Sequence, residues 1–424
     1  MKEELLQIIW KYLLFNTSSL NTVNAQRLRI INNGNLNTDS GPDFENALIE
    51  IEGTKWAGSI EIHISASDWD KHKHKTDKAY DKVILHVVYN YNTPIYNSYN
   101  VEIPCLELKG RIPLKTIKRY KNLSFAKSEI PCRNLLNEVP AFDWIMWKDR
   151  LTIERLSYKA MDIEQRLKAN NFDWDDCFYQ LLSRSMGLKV NTHAFQQLNQ
   201  KIPKPILNKH IDDLKAIEAM LFGVAGFLNE EKEDNYFKNL QKEFEHYKYK
   251  FNLKELPKHI WKFMRLRPAS FPSIRIAQLA ALLHKNVDFF GSICKENSLT
   301  KARQLLNVSA SNYWNEHYVF GKKSDTKKPK KLGMATIDVI IINAVCPLLF
   351  VFGKTYKNQA LVEKAINWLA EIKAEKNSII SKWNELGIET TNASESQALI
   401  HLYNKYCSPK KCLHCQIGLK LLRH

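Results

Sequence analysis

The feature that most constrains this chain is a set of ionisable residues inside runs that otherwise read as β-strands. From Gly41 to Tyr89 the sequence is GPDFENALIEIEGTKWAGSIEIHISASDWDKHKHKTDKAYDKVILHVVY. Phe44 to Glu52 alternates, with Ala47, Ile49 and Ile51 on one face. Gly53-Thr54 supplies a turn, and Trp56 to Ile64 returns as the second arm of a hairpin. Val83 to Tyr89 is almost uniformly apolar, the pattern of a strand covered on both faces. Into these runs are set Asp43 at the head of the first, Glu61 and His63 on one face of the second, and His86 in the middle of the third. An acid and a base two residues apart on one face of a half-buried strand are placed for chemistry.

The rest of the N-terminal part supports a small α/β sandwich. Residues 2–15 read as a helix, Ala25 to Ile31 as a short strand, Ser67 to Asp81 as a loop followed by a short helix, and Tyr96 to Leu108 as one or two further strands. After Pro131 the apolar spacing becomes helical. Asp143 to Asn170, Asp175 to Met186, Ile211 to Leu228, Glu230 to Tyr249, Phe271 to Leu283, Leu332 to Phe352 and Asn358 to Ala374 all carry it, and Gly321 to Lys331 reads as a basic loop. The expected class is α+β: a mixed α/β domain over 1–130, then a mainly α-helical region over 131–424 that ends in a cysteine cluster.

Composition narrows the function classes. Hydrophobic residues make up 44% of the 424 positions and charged residues 25%, enough for a real core. Only 14 Gly and 14 Pro argue against disorder and against a turn-rich all-β chain. The formal charge of +17 gives a field that attracts polyanions, nucleic acid among them. MKEELLQIIWKYLLF lacks a cleavage site, and the apolar run Ile337 to Phe352 is short for a bilayer, so the expectation is a cytoplasmic protein with no membrane partner. In a reducing compartment clustered cysteines point to metal or reactivity before disulfides.

If the two strands pair as a hairpin, Asp43 comes close to Glu61, and converging carboxylates suit Mg2+ or Mn2+. Pro42-Asp43 at a strand start, followed by Glu61-Ile62-His63 on the next strand, resembles the PD-(D/E)xK nuclease superfamily, with His63 in place of the lysine. The order helix, three strands, helix, strand is similar to that restriction-endonuclease-like core. The resemblance implies a metal-dependent phosphodiester hydrolase in which Asp43 and Glu61 hold the ion and His63 stands where the lysine positions water. His72, His74, Asp77 and His86 are second-layer candidates. The bland alternatives are an Asx turn at Asp43, an exposed Glu61 and a hydrogen-bonded core histidine at His86. His63, His72, His74 and His86 can instead bind zinc, though their spacing fits no standard zinc pattern.

Two signals lie in the helical part. Cys407, Cys412 and Cys415, in CSPKKCLHC, can place thiolates around Zn2+ or an iron–sulfur cluster, with the fourth ligand open; His424 and Cys346 are candidates for it. Arg265, Arg267 and Arg275, in RLRPASFPSIR, suit a phosphate clamp at a helix start, and so a nucleic-acid contact. The chain as a whole, through GPDF, GSIEIHI, SDWDKHKHKTDKAYDKVILHVV, RLRPASFPSIRIAQLA and CLHCQIG, resembles a bacterial family of unknown function. The expectation is a metal-dependent nuclease or other nucleic-acid-processing protein; the alternatives are a non-catalytic nucleic-acid-binding protein and a structural or partner-binding protein.

Overall fold

The computed structural model describes residues 2–423. The chain is mixed α/β in its N-terminal part and mainly helical afterwards, and it divides into two compact units. The first is residues 1–147 together with 401–424; the second is 148–400. The sequence reading set the boundary near 130 and left the terminal cysteines in the helical region. The boundary instead falls inside the helix Ala141–Ala169, and the terminal segment belongs to the first unit. The terminal helix Gln416–Arg423 docks on the helix Leu114–Ser124. There Arg119 Nη1 donates to the Leu421 carbonyl at 2.5 Å and Thr116 Oγ1 to that of Leu422 at 3.4 Å.

The first unit is built on a sheet. Helix α1 (Glu3–Lys11) precedes strands β1 (Leu28–Asn32), β2 (Asn35–Leu36), β3 (Phe44–Ile51), β4 (Thr54–Ser65), β5 (Val83–Asn90) and β6 (Cys105–Glu107). The main path is β1-β3-β4-β5-β6. β1, β3 and β4 pair antiparallel, whereas β4-β5 and β5-β6 are parallel. The expected hairpin is β3-β4, turned at Gly53 with φ +80°. The expected strand at 25–31 starts later, and of 96–108 only β6 and an isolated Tyr96–Glu102 bridge are extended pairings.

One local irregularity sets the geometry of the site. Near the turn, Ala47 pairs with Gly58; past a bulge, Phe44 pairs with Ile60. The extra residue moves the register by one, so Asp43 faces Glu61 instead of Ile62. Asn46, at φ 57°, takes the left-handed conformation this bulge requires. On the other edge β5 approaches closely: a Cβ on Gly58 would meet Ile84 Cγ2 at 2.6 Å. Ile60 and Ile62 are buried, and so are Glu61 and His63 on the opposite face of β4, the strand on which α1 packs. Helix α1 is amphipathic, burying Leu5, Leu6, Ile8, Ile9 and Trp10. Its Trp10 indole N–H donates to the Asn33 carbonyl at 2.9 Å.

The parallel crossover from β4 to β5 is short. It consists of helix α2 (Asp68–Lys71) and two 3-10 turns, His74–Thr76 and Lys78–Lys82. Trp69 anchors it: the side chain is fully buried and its N–H donates to the Tyr96 carbonyl at 3.1 Å.

The second unit is helical, with a continuous core that includes Phe178, Phe195, Phe222, Trp261 and Trp314. The apolar run read as short for a bilayer is part of a longer helical stretch, Met334–Thr355, of 22 residues, whose most apolar window has a mean hydropathy of 2.3. By length and composition it is sufficient to cross a membrane. In the fold 72% of its most apolar window is buried within the protein, as one element of that core.

The bulge yields a prediction. Asn46→Val forces a β-branched residue into the left-handed region and should lower stability by about 1–2 kcal/mol, whereas Asn46→Gly should change it by less than about 0.5 kcal/mol. Urea denaturation followed by circular dichroism measures both. Equal stability of the two variants would contradict the bulge.

Candidate active site and cysteine cluster

Asp43 and Glu61 form the floor of the site. The backbone N–H of Asp43 donates to Glu61 Oε2 at 3.0 Å. Asp43 Oδ2 accepts from the Ile62 N–H at 3.0 Å and Oδ1 from Gln7 Nε2 at 2.8 Å. Gln7 and Glu3 lie one turn apart on α1, so that helix lends two polar groups to the carboxylates. Glu3 Oε1 is 3.9 Å from His63 Nε2.

The imidazoles gather above. His63 Nδ1 is 2.8 Å from His86 Nε2, and His63 Nε2 is 3.0 Å from His72 Nδ1. Glu61 Oε1 lies 3.6 Å from His63 Nε2 and 3.5 Å from His74 Nε2. One ligand nitrogen each from His63, His72 and His74 lies within 4.8 Å of the others. Lys73, at φ 61°, reverses the chain between His72 and His74. Tyr80 stacks on His74 at 3.8 Å, and Trp69 meets the rings of His74 and His86. His63 and His86 are fully buried, His74 is half-buried and His72 is exposed. The cluster thus runs from the interior to the surface.

The electrostatics follow from burial. Desolvation raises Glu61 and Asp43 well above the usual carboxylate range; repulsion from Asp43 and from Glu3 adds to it at Glu61, and repulsion from Glu3 at Asp43. Desolvation pushes His63 down to about 3 and His74 down to about 4, with the neighbouring imidazoles adding to the effect. His86 is likewise lowered. His74 Nε2 and His86 Nδ1 are buried with no hydrogen-bond partner. With a proton on His63 Nδ1 donated to His86 Nε2, the His63 Nε2 lone pair faces His72, His74 and Glu61. Neutral imidazoles beside carboxylates are a donor set that fits a divalent cation, and the nitrogen share favours a transition ion over Mg2+.

The second-layer candidates divide. His72 and His74 are donors of the cluster itself, and His86 supports His63 from behind. Asp77 instead caps the second 3-10 turn by accepting from the Ala79 N–H at 2.9 Å, while its charge acts on His74. Sequence reading missed Glu3 and Gln7. Their only signal is the polar spacing i, i+4 on an amphipathic helix, which equally describes a solvated face.

The arginine clamp does not assemble as expected. Arg265 and Arg267 are exposed, but Arg275 is buried. Arg275 donates to Gln278 Oε1 and Thr336 Oγ1, each at 3.0 Å. Its helix, Pro272–Lys285, is buried on all sides from Pro272 to Leu283, so the guanidinium serves the core. The basic tract is also partly pinned: Lys330 is buried, with Nζ donating to the Asn315 carbonyl at 3.2 Å.

The terminal cysteines sit on a short knuckle. Cys407 ends the helical run that continues from Ala393–Leu402, and Cys412–His414 forms a 3-10 turn before the last helix. Cys346 belongs to the core of the second unit, and His424 lies outside the described residues.

The pH response of the carboxylate pair can be measured. Asp43 and Glu61 hold protons in the folded state that the unfolded chain releases above roughly pH 4. Their contribution is therefore full at low pH and lost as pH rises through their raised folded values. The histidines act oppositely: their contribution is present above roughly pH 6.5 and is lost as pH falls toward their lowered folded values. Metal-free protein should lose stability from pH 6 to 9, and Glu61→Gln should flatten that slope. Thermal melts after chelation test this; parallel slopes in the two proteins would contradict it.

No curated protein and no solved structure gives a significant match to the chain. A protein family described as "Protein of unknown function (DUF2851)" matches residues 3–378, a span that contains the whole carboxylate–histidine cluster and stops short of Cys407. Since that match takes in most of the 424 residues, the chain belongs to the DUF2851 family of proteins of unknown function.

Proposed function

We propose that the first unit is a metal-dependent phosphodiester hydrolase acting on nucleic acid. The observation that carries the reading is the convergence of Asp43, Glu61, His63, His72 and His74 in one cluster that reaches the surface. Asp43 at a strand start and Glu61-x-His63 on the adjacent strand also agree with the PD-(D/E)xK resemblance. A divalent ion there would polarise a phosphate oxygen and lower the pKa of a bound water. His63, His72, His74 and Glu61 are the groups to hold it. Asp43, whose affinity for a proton is raised by burial, is suited to accept one from water. His86 fixes the ring of His63, and Gln7 fixes the carboxylate of Asp43.

The substrate class follows from charge. The loop that supplies His72 and His74 also carries exposed Lys71, Lys73, Lys75 and Lys78. Together with the net charge of +17 they favour a polyanion at the mouth of the site. His63 does not offer the ammonium that the resembling nucleases carry, which is why the cation is central to this reading.

Purified protein should cleave single- or double-stranded DNA or RNA with Mn2+, Zn2+ or Mg2+, most readily with a transition ion. Asp43→Ala and Glu61→Ala should each reduce the rate by about 100-fold or more while the circular dichroism spectrum is retained. His72→Ala, at an exposed position, should weaken metal dependence with little effect on folding. Salt-sensitive binding without cleavage in any metal would overturn the hydrolase and leave the binding protein. Cleavage unchanged in both carboxylate variants would place the activity elsewhere.

A further inference from the structure

The second unit holds a cavity of about 650 Å3 whose lining carries an excess of positive charge. Lys159 and Asp162 reach it from the helix Ala141–Ala169, Arg184 from Trp174–Met186, and Lys189 from the segment that follows. The Asp162 charge is already offset: Arg166 Nε donates to its carboxylate at 3.0 Å and Arg184 Nη1 at 3.2 Å. Lys159 is held differently, by three uncharged acceptors. They are Asn343 Oδ1 at 2.9 Å, the Ile342 carbonyl at 3.2 Å and Gln397 Oε1 at 3.4 Å. The Gln397 oxygen also accepts from Arg155 Nε, a second cation, while Glu375 bonds to the amide end of Gln397. Burial, with the Arg155 charge beside it, pushes the Lys159 amine down to about 7.

The backbone departs from regular geometry around this lysine. Pro347 interrupts the helical stretch Met334–Thr355, because it has no N–H and its ring crowds the carbonyl four residues back. The turn before it, Ile341–Val345, is π-helical. In that register the Ile342 carbonyl would pair with position 347, which has no N–H to give, and Lys159 supplies the donor instead. Leu188, which also lines the cavity, takes φ 51°, a left-handed conformation that costs energy for any residue with a Cβ. Irregular backbone of these two kinds gathers at binding sites.

The rest of the lining defines the body of a ligand. Ile163, Leu181, Val339 and Pro347 are apolar. The neutral polar groups are spent on the fold: Ser185 Oγ donates to the Leu181 carbonyl at 2.8 Å, Thr192 Oγ1 to that of Leu188, and Asn343 Nδ2 to that of Val339 at 2.9 Å. What remains to meet a ligand is apolar surface and the side chains of Lys159, Arg184 and Lys189. A buried ammonium among uncharged acceptors gains from an anion brought beside it. The volume lies within the range of small-molecule sites, about 300–1,000 Å3.

We propose that this cavity binds a small organic anion, a carboxylate or phosphate monoester head on an apolar body. Lys159 and Arg184 meet the head, Lys189 adds positive charge, and Ile163, Leu181, Val339 and Pro347 cover the body. The longest Lys159 contact, to Gln397, is the one a ligand oxygen replaces, since Gln397 keeps Arg155 as its donor. The site lies wholly within 148–400 and stands independently of the hydrolase reading.

The test is calorimetric titration of the full chain with decanoate, naphthyl phosphate, inorganic phosphate and uncharged naphthol. At least one of the two apolar anions should bind at one site per chain with a Kd below about 100 μM, and inorganic phosphate and naphthol at least about tenfold more weakly. Saturation by decanoate alone assigns a carboxylate head, and by naphthyl phosphate alone a phosphate. Lys159→Gln keeps an N–H donor for the Ile342 carbonyl and should weaken the bound anion by about tenfold or more. Arg184→Gln, at an exposed position, should weaken it too, and Lys254→Gln, outside the cavity, should not. No binding of either anion at millimolar concentration, or naphthol binding as tightly as the anions, would overturn the proposal. So would unchanged affinity in Lys159→Gln; should that variant fail to fold, Arg184→Gln decides, and unchanged affinity there overturns it.

Discussion

Burial disfavours the ionised form of both Asp43 and Glu61 where they stand, and positive charge beside them would relieve that. Each is largely removed from water, and the backbone N–H of one is bonded to the carboxylate of the other. Much of the first unit is arranged around that constraint. The bulge at Asn46 brings the two residues opposite each other. Helix α1 covers the pair and contributes Gln7 as a donor. The crossover loop, held by Trp69, closes the remaining side with His72 and His74. A fold that sought stability alone would fill this space with apolar side chains, because buried ionisable groups gain little over well-packed hydrophobic ones. Keeping Asp43, Glu61, His63, His74 and His86 together there is a local conflict of the kind that marks functional sites.

How much of this the sequence discloses depends on the range of each signal. The hairpin of Phe44–Ile51 and Thr54–Ser65 is legible because alternation and a Gly turn are local. The same alternation puts Glu61 and His63 on one face, 3.6 Å apart in the structure. The pairing of Asp43 with Glu61 depends on a bulge, and nothing in PDFENAL announces that Asn46 is the extra residue. Glu3 and Gln7 were invisible because a polar stripe on an amphipathic helix has the same spacing whether it faces water or a carboxylate. Arg275 shows the converse error. Its helix start looked like a phosphate cradle, but the helix is enclosed, and the guanidinium is spent on Gln278 and Thr336.

On the nuclease-like reading proposed for this site, the departure from the nuclease pattern and the surplus of histidines belong together. A lysine at position 63 would place a compact positive charge among Asp43, Glu61 and Glu3. His63 cannot do so: burial holds it neutral, and both ring nitrogens are engaged by other imidazoles. Removing an ammonium from a pair of buried carboxylates should leave them starved of positive charge, and their raised proton affinity is that condition expressed as chemistry. The same substitution turns a charge donor into a lone-pair donor and surrounds it with two more, His72 and His74. On the reading proposed for this site, the charge that lysine supplies elsewhere is supplied here by the ion that the imidazoles recruit. A lysine restored at position 63 would then compete with that ion rather than assist it, since an ammonium and a divalent cation cannot share so small a pocket without mutual repulsion.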